Sequence, residues 1–232
     1  MKALNHKSQD VWVIIPAFNE ESSIGKVLDQ FTETDYSVLV IDDCSQDSTP
    51  TIVLDYPVIL LQHAANLGQG AALQTGFDFV KKYTSAKYVV TFDSDGQHEV
   101  EEIIKLVESL QCQKYDVVLG SRFLQPNPNI RIPLGKTIIL KFGLFFTRIT
   151  TRMSVTDTHN GLRGFTINAL RNINIQQNRM AHASEILSQI SLKNLRWKEV
   201  PVTIHYTEYS IKKGQSVFNA FNILWELLFR RE

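Results

Sequence analysis

Asp93 and Asp95 stand one residue apart at the end of an apolar, β-branched and aromatic run, Tyr88-Val89-Val90-Thr91-Phe92, just before Gly96. The run reads as a buried strand, and the glycine lets the chain turn where that strand must stop. In extended backbone, residues i and i+2 face the same side. The two carboxylates can therefore converge on one hard cation, with Gln97 next on that side. That arrangement suits Mg²⁺ or Mn²⁺ holding a diphosphate. Asp-Ser-Asp-Gly by itself also describes a solvated turn after a core strand, so the rest of the chain must decide.

Four further strands surround this one in sequence. Val11 to Ile15 is a continuous apolar run ended by Pro16, followed by Ala17, Phe18, Asn19 and Glu20 and then by Ile24, Val27, Leu28 and Phe31 at helical spacing. Ser37 to Ile41 makes a second strand that ends in Asp42 and Asp43, and Ser45 to Thr49 offers a turn and N-cap residues for a short helix. Pro57 to Leu61 is a third strand, after which Asn66-Leu67-Gly68-Gln69-Gly70 opens a helix carrying Ala72, Leu73, Phe77 and Val80. The Asp93 strand is the fourth. Val100 to Leu110 follows as a helix with Ile103, Ile104, Val107 and Leu110 inward, and Asp116 to Gly120 is a fifth strand closed by Ser121 and Arg122. Strands alternating with helix-sized crossovers predict an α/β fold built on a doubly wound, mostly parallel sheet flanked by helices. Ligands bind such sheets beyond the carboxyl ends of the strands, so the acids ending strands two and four share one rim.

Composition excludes several classes. The 232 residues carry 24 Lys plus Arg against 24 Asp plus Glu, so no basic field points to nucleic acid. Cys44 and Cys112 follow neither a disulfide-framework nor a zinc spacing, which fits a reducing cytoplasm. Met1 to Asp10 is polar, with no signal-peptide core. No window reaches the roughly 20 apolar residues that a bilayer span needs. The nearest, Ile138 to Ile149 and Val217 to Phe229, are broken by Lys141 and Glu226.

Past residue 123 the pattern changes. Gln125 to Pro133 reads as a loop and a boundary between halves. Leu134 to Met153 reads as an amphipathic helix whose Lys141, Arg148 and Arg152 share a face, suited to a membrane interface or to ordinary packing against a core. Thr156 to Phe165 reads as a loop, Ala183 to Leu195 as a helix, Glu199 to His205 as a strand and Tyr206 to Ser216 as a mobile loop. The C-terminal helix has more apolar surface than one seam needs, so a partner helix or a membrane interface would account for it.

Five segments carry a resemblance: Pro16-Ala17-Phe18-Asn19-Glu20, Asp42 to Thr49, Asn66 to Ala71, Asp93-Ser94-Asp95-Gly96-Gln97-His98 and Gly120-Ser121-Arg122. In this order they resemble the motifs of family 2 glycosyltransferases with the GT-A fold, closest to the branch that transfers mannose or glucose to polyprenyl (dolichol) phosphate. Asp157 to Phe165 and Lys212 to Ser216 resemble that branch's acceptor-side loops more loosely. The resemblance implies that Pro16, Ala17, Asn19 and Glu20 line the nucleoside and that Asp43 accepts hydrogen bonds from the base or ribose. It implies that Gly68 and Ser94 belong to the donor site, and that Asp93, Asp95 and Gln97 hold Mg²⁺ or Mn²⁺. His98 is either a further ligand or hydrogen-bonded structure. Arg122 and Arg163 present forked donors suited to phosphate oxygens, and Lys212 and Lys213 could close over a donor or acceptor phosphate. The chain departs from the branch at Gln69, where Lys or Arg is common, at Tyr209-Ser210-Ile211, which lacks the branch's arginine, and at Val217, which stands for a lysine.

The implied organisation is a single GT-A domain over 1–232: a nucleotide-sugar and metal half (1–123), an acceptor half (124–205), and a mobile loop with an amphipathic helix (206–232). The implied activity is inverting, metal-dependent transfer of a hexose from a UDP- or GDP-sugar to a polyprenyl phosphate. The enzyme would lie peripherally on the cytoplasmic face of a membrane, with a small membrane protein as a candidate partner. A phosphate acceptor is already ionised, whereas a sugar hydroxyl on a lipid-linked or polysaccharide acceptor would need a base, for which Asp157 is the first nominee and Glu185 the second. A third reading is a non-catalytic subunit that binds sugar nucleotides.

Overall fold

In a computed structural model, which describes residues 10–124, 151, 153–179 and 181–205, the apolar run after Asp10 forms strand β1, Val11–Ala17, buried along its whole length. The strand continues through Pro16, which pairs with Ile41 near the end of the ladder. The remaining strands are β2 Ser37–Asp42, β3 Ile59–Gln62, β4 Tyr88–Thr91, β5 Val117–Ser121, β6 Arg163–Thr166 and β7 Trp197–Pro201. The helices are α1 Ile24–Asp29, α2 Thr49–Val53, α3 Gln69–Tyr83, α4 Glu102–Gln111, α5 Ile167–Leu170 and α6 His182–Leu192.

The strands form one sheet in the order β3-β2-β1-β4-β6-β5-β7. Every pairing is parallel except the two made by β6, which runs antiparallel to both β4 and β5. A central strand covered on both faces must be apolar at every position, which is why β1 reads as a continuous run. Its odd residues Val11, Val13 and Ile15 pack with Val27, Leu28 and Phe31 and with Ile103, Leu106 and Leu110 of α4. Its even residues Trp12 and Ile14 pack on the other face with Leu73, Phe77 and Val80 of α3 and Ile186 and Ile190 of α6. Fully buried side chains such as Phe77 and Ile103 each contribute about 1.5–3 kcal/mol by leaving water.

Three details depart from the sequence reading. Thr156 to Phe165 is not all loop, since its end is β6, and α5 follows directly. At four residues, with a glycine inside and Arg163 and Thr166 at its ends, β6 has no alternation to detect. In α4 the inward face carries Ile103, Leu106, Val107 and Leu110, whereas Ile104 is exposed. The loop at Gln125–Pro133, most of the basic helix from Leu134, the Tyr206–Ser216 segment and the C-terminal helix lie outside the described residues.

Because β1, β2, β4 and β5 run the same way, their carboxyl ends form one rim that gathers the Pro16–Glu20 loop, Asp42 and Asp43, Asp93 to Asp95, and Arg122. The reversed β6 begins at that rim, with Arg163 opposite both Thr91 and Leu119. One antiparallel strand thus brings the Asp157–Gly161 loop to the acid pair.

Candidate active site

The rim's first wall is made by the loops after β1 and β2, fastened to each other through backbone amides. Asn19 N donates to Ser45 Oγ at 2.9 Å and Glu20 N to Thr49 Oγ1 at 2.8 Å, while Asn19 Oδ1 accepts from Gln46 N at 2.8 Å. Asn19 and Cys44 adopt φ values of 54° and 65°, a left-handed conformation that costs free energy and is typical of ligand-facing loops. Glu20 is buried and accepts from Ser23 Oγ at 2.7 Å. Pro16 and Ala17 end β1 beside it.

Asp43 is also buried, and its carboxylate is occupied. Leu67 N and Gly68 N donate to its two oxygens at 2.9 and 2.7 Å, and His63 Nδ1 lies 2.7 Å from Oδ1. His63 in turn meets Thr75 Oγ1 through Nε2 at 2.9 Å, so Asp43 ties the loop before α3 to the α3 body. Asp42 takes the Ser45 amide and the Gln62 side chain. The amides at the start of α3 are occupied as well, Gly70 N and Ala71 N donating to the carbonyl of Asn178 at 2.8 and 3.2 Å. Gly68 and Gly70 therefore serve the close approach of the 177–179 segment rather than an open anion cradle.

The acid pair lies at the centre. Gln69 Nε2 donates to Asp93 Oδ1 at 3.2 Å, and His98 Nε2 stands 3.6 Å from Oδ2. Burial would raise the Asp93 pKa, but His98, Arg163 and His182 outweigh it and hold the carboxyl below its ordinary value. Asp95 behaves oppositely. Burial, the charge of Asp93 and that of Glu20 push it up to about 6, against the hydrogen bond from the Gln97 amide. Gln97 N and Nε2 donate to Asp95 at 3.0 and 2.7 Å, and Ser94 is buried between the two acids. His98 is buried, and its Nδ1 has no partner among the described residues.

The charge of Asp93 makes Asp95 costlier to ionise, and a cation shared between them would relieve that cost. The donor set of hard oxygens fits Mg²⁺ or Mn²⁺, which commonly takes one or two carboxylates and completes its shell with water and substrate phosphate. Among the described residues no third His, Cys, Asp or Glu joins them as a preformed cage.

The second wall is the loop from Thr156 to Leu162. Asp157 is buried and accepts from Arg122 Nε at 2.7 Å, from Arg122 N at 3.2 Å and from His159 N at 3.3 Å. Glu199, on β7, accepts from the amides of Thr156 and Asp157 at 2.8 and 3.1 Å. Arg163 is the post around which the loop is wrapped. Its guanidinium donates to the carbonyls of Asn160, Thr158 and Ala183 at 3.0, 3.1 and 3.5 Å, and burial lowers its pKa to about 10 against the opposing charges of Asp93 and Asp157. Gly161 touches the Asp93 carboxylate so closely that a Cβ there would overlap it, while its carbonyl accepts from Thr91 Oγ1 at 2.6 Å.

The structure thus gathers Pro16, Glu20, Asp93, Asp95, Gln97, Arg122, Asp157 and Arg163 on one rim. It places Arg163 inside rather than on the surface, and Asp157 in a salt bridge. Glu185 holds the amides of Gln176 and Gln177. Lys212 and Lys213 lie outside the described residues. Sequence reasoning passed over His63, Gly161, His182 and Glu199, which act through contacts between segments far apart in the chain. Only the glycine after Asn160 carried a local signal, as a site of close backbone approach.

Among the described residues no helix is long and apolar enough to cross a membrane. A profile for glycosyl transferase family 2 matches residues 12–173. An uncharacterised protein of Methanocaldococcus jannaschii is 36% identical over 226 residues, covering 96% of this chain and 92% of its own. A Methanococcus voltae protein named UDP-N-acetylglucosamine–dolichyl-phosphate N-acetylglucosaminyltransferase is 32% identical over 240 residues, covering 94% of each chain. Among solved structures, glucosyl-3-phosphoglycerate synthase of Mycobacterium tuberculosis, in complex with Mn²⁺, UDP and glucosyl-3-phosphoglycerate, superposes with a TM-score of 0.63 at 16% identity, covering 94% of this chain and 80% of that one.

Proposed function

The chain belongs to glycosyl transferase family 2 and has the GT-A fold, and from that membership we propose that it moves a hexose from a UDP- or GDP-sugar to a polyprenyl phosphate, with inversion at the anomeric carbon. In this reading residues 1–123 hold the donor and 124–205 the acceptor. Asp93 and Asp95, with Gln97 beside them, hold Mg²⁺ or Mn²⁺, which when bound neutralises charge gathering on the leaving diphosphate. Pro16, Ala17, Asn19 and Glu20 seat the nucleoside. Asp43 and Gly68 act by fixing the wall it rests on, and Ser94 keeps the two acids in register. Arg122 brings its positive charge to the acceptor phosphate, and Lys212 and Lys213 add positive charge there.

An oxygen of the acceptor phosphate attacks the anomeric carbon as the bond from that carbon to the diphosphate breaks. The attacking oxygen is already ionised at neutral pH, so no side chain has to remove a proton. The observation that carries this reading is the state of Asp157, whose carboxylate is engaged by Arg122 and by a backbone amide. Held in that way, Asp157 orients Arg122 and is not a free base, which favours a phosphate acceptor over a sugar hydroxyl. The Methanococcus voltae relative, named for transfer to dolichyl phosphate, supports the same acceptor class. Such an acceptor is anchored in lipid, so the rim works against the cytoplasmic face of a membrane, peripherally docked either directly or through a small membrane protein.

Thermal shift across UDP- and GDP-hexoses, with and without Mn²⁺, should pick out one donor whose stabilisation needs the ion. That donor, radiolabelled and incubated with polyprenyl phosphate vesicles, should yield a labelled lipid. Labelled glycan with no labelled lipid would sink the acceptor assignment.

A further inference from the structure

Beside Asp93 a small cleft opens between the starts of α3 and α6. Its polar lining includes Gln69, Asp93 and His182, and its apolar lining Pro16, Leu73 and Ile186. The two helix starts meet closely because Gly70 has no side chain: a Cβ there would lie 2.9 Å from the Cβ of His182. The imidazole is therefore delivered beside Asp93 by the start of α6.

The protonation of the ring follows from its partners. His182 Nδ1 lies 2.6 Å from the carbonyl oxygen of Arg179. A carbonyl only accepts, so Nδ1 carries the hydrogen and Nε2 is left with its lone pair. Burial lowers the His182 pKa to about 4, with the charge of Arg163 adding to it, so the ring is neutral at pH 7. Among the described residues the Arg179 carbonyl is the ring's only hydrogen-bond partner. A buried acceptor of fixed tautomer in a mostly apolar cleft asks for a neutral donor group.

We propose that His182 is a specificity residue for the transferred sugar, its Nε2 accepting a hydrogen bond from one O–H or N–H of the donor hexose. This rests on the donor reading above, in which Asp93 lies at the diphosphate; the group attached next to a diphosphate on the side away from the nucleoside is the hexose. Gln69, which donates to Asp93, lines the same cleft. The ring makes no bond and takes no proton in the transfer.

The test is calorimetric binding to the full chain with Mn²⁺, using free UDP and GDP, their hexoses and N-acetylhexosamines, and deoxyfluoro analogues that replace one hydroxyl at a time. In the wild-type protein, one replacement on the hexose should weaken binding about tenfold, the expected weight of one well-made hydrogen bond. The N-acetylhexosamine arm identifies the case in which the group is an amide N–H. His182→Phe should erase that preference while leaving the free nucleoside diphosphate bound as before. His182→Gln, which offers an amide oxygen near the Nε2 position, should restore most of it. If His182→Phe does not fold, the wild-type analogue series and the glutamine variant still decide. Unchanged discrimination in the variants, or equal weakening of the nucleoside diphosphate and its sugar, overturns the proposal. Failure of the wild-type chain to bind any nucleoside diphosphate would instead sink the donor reading, and this inference with it.

Discussion

The two walls of the rim are fixed by different physics. The wall after β1 and β2 is laced by single hydrogen bonds from backbone amides to small side chains, Asn19 to Ser45 and Glu20 to Thr49, with two residues at positive φ. The wall from Thr156 to Leu162 is built on buried charge: Arg163 under three carbonyls, Asp157 against Arg122, and Glu199 under two amides. Lacing of the first kind can readjust at Asn19, whose bond to Ser45 is part-buried and open to competition from water. A loop wrapped around a desolvated guanidinium has one arrangement, since any other leaves a charge or a carbonyl unpaired. The first wall is thus suited to closing over a nucleoside, and the second to holding Asp93 still.

The largest effect should come from Asp95, the acid whose charge is opposed by Asp93 and by Glu20 of the first wall. Asp95→Asn should lower transfer by about a thousandfold, the scale seen when one group that stabilises developing charge is removed. In the metal-free protein the same change relieves repulsion from Asp93 and Glu20, so the variant should melt at a higher temperature than the wild type. Activity within tenfold of wild type would remove the pair from the chemistry. Arg163→Met, at the heart of the second wall, should cost about 3–5 kcal/mol in urea unfolding, because it strands the carbonyls of Thr158 and Asn160 and the charge of Asp93. A loss below about 1 kcal/mol would mean that the second wall is as adaptable as the first.

How much of this could be read from the chain follows the same division. The first wall and the acid pair come from segments that each follow a strong strand, so Pro16 to Glu20, Asp42 and Asp43, and Asp93 to Asp95 stand out by position alone. The second wall depends on β6, four residues without a period, and on contacts such as Glu199 to Thr156 that span 43 residues. Chemistry was also easier to assign than burial. A forked cation near a phosphate motif reads as a clamp, yet Arg163 is 5% exposed and committed to backbone carbonyls. Asp43 reads as a nucleoside acceptor, yet its oxygens close the loop before α3. Nothing local to either residue distinguishes the two fates, because the partners that bury them lie elsewhere in the sequence.

A pH dependence should appear on the second wall's flank. His182 titrates near 6.5 when unfolded and near 4 when folded, its ring facing Arg163, His159 and Asp93. Below 6.5 the unfolded chain takes up a proton that the folded state refuses. This contribution is therefore present in full above pH 6.5 and is lost as pH falls toward 4, by about 3 kcal/mol at most. Urea midpoints measured between pH 7.5 and 4 should fall more steeply for the wild type than for His182→Phe; parallel curves would contradict the buried, neutral ring. Gly161→Ala tests where the second wall meets the acid pair. Its Cβ would overlap the Asp93 carboxylate, so Mn²⁺-dependent donor affinity should drop about 10- to 100-fold, the weight of about one or two misplaced charge-assisted contacts. Affinity for the donor without the ion should change little.

The smallest effect should come from Ser45→Ala, which removes the acceptor for the Asn19 amide in the first wall. That amide is only part-buried, so water can replace the lost partner, and the cost should stay near or below about 1 kcal/mol in stability. Donor affinity should shift less than about threefold, because Gln46 N to Asn19 Oδ1 and Glu20 N to Thr49 still join the loops. A loss of several kcal/mol would show that the lacing is as unforgiving as the buried charges. In that case the nucleoside, like Asp93, would meet a surface set before it arrives, and the adaptability assigned to the first wall would have to lie elsewhere in the molecule.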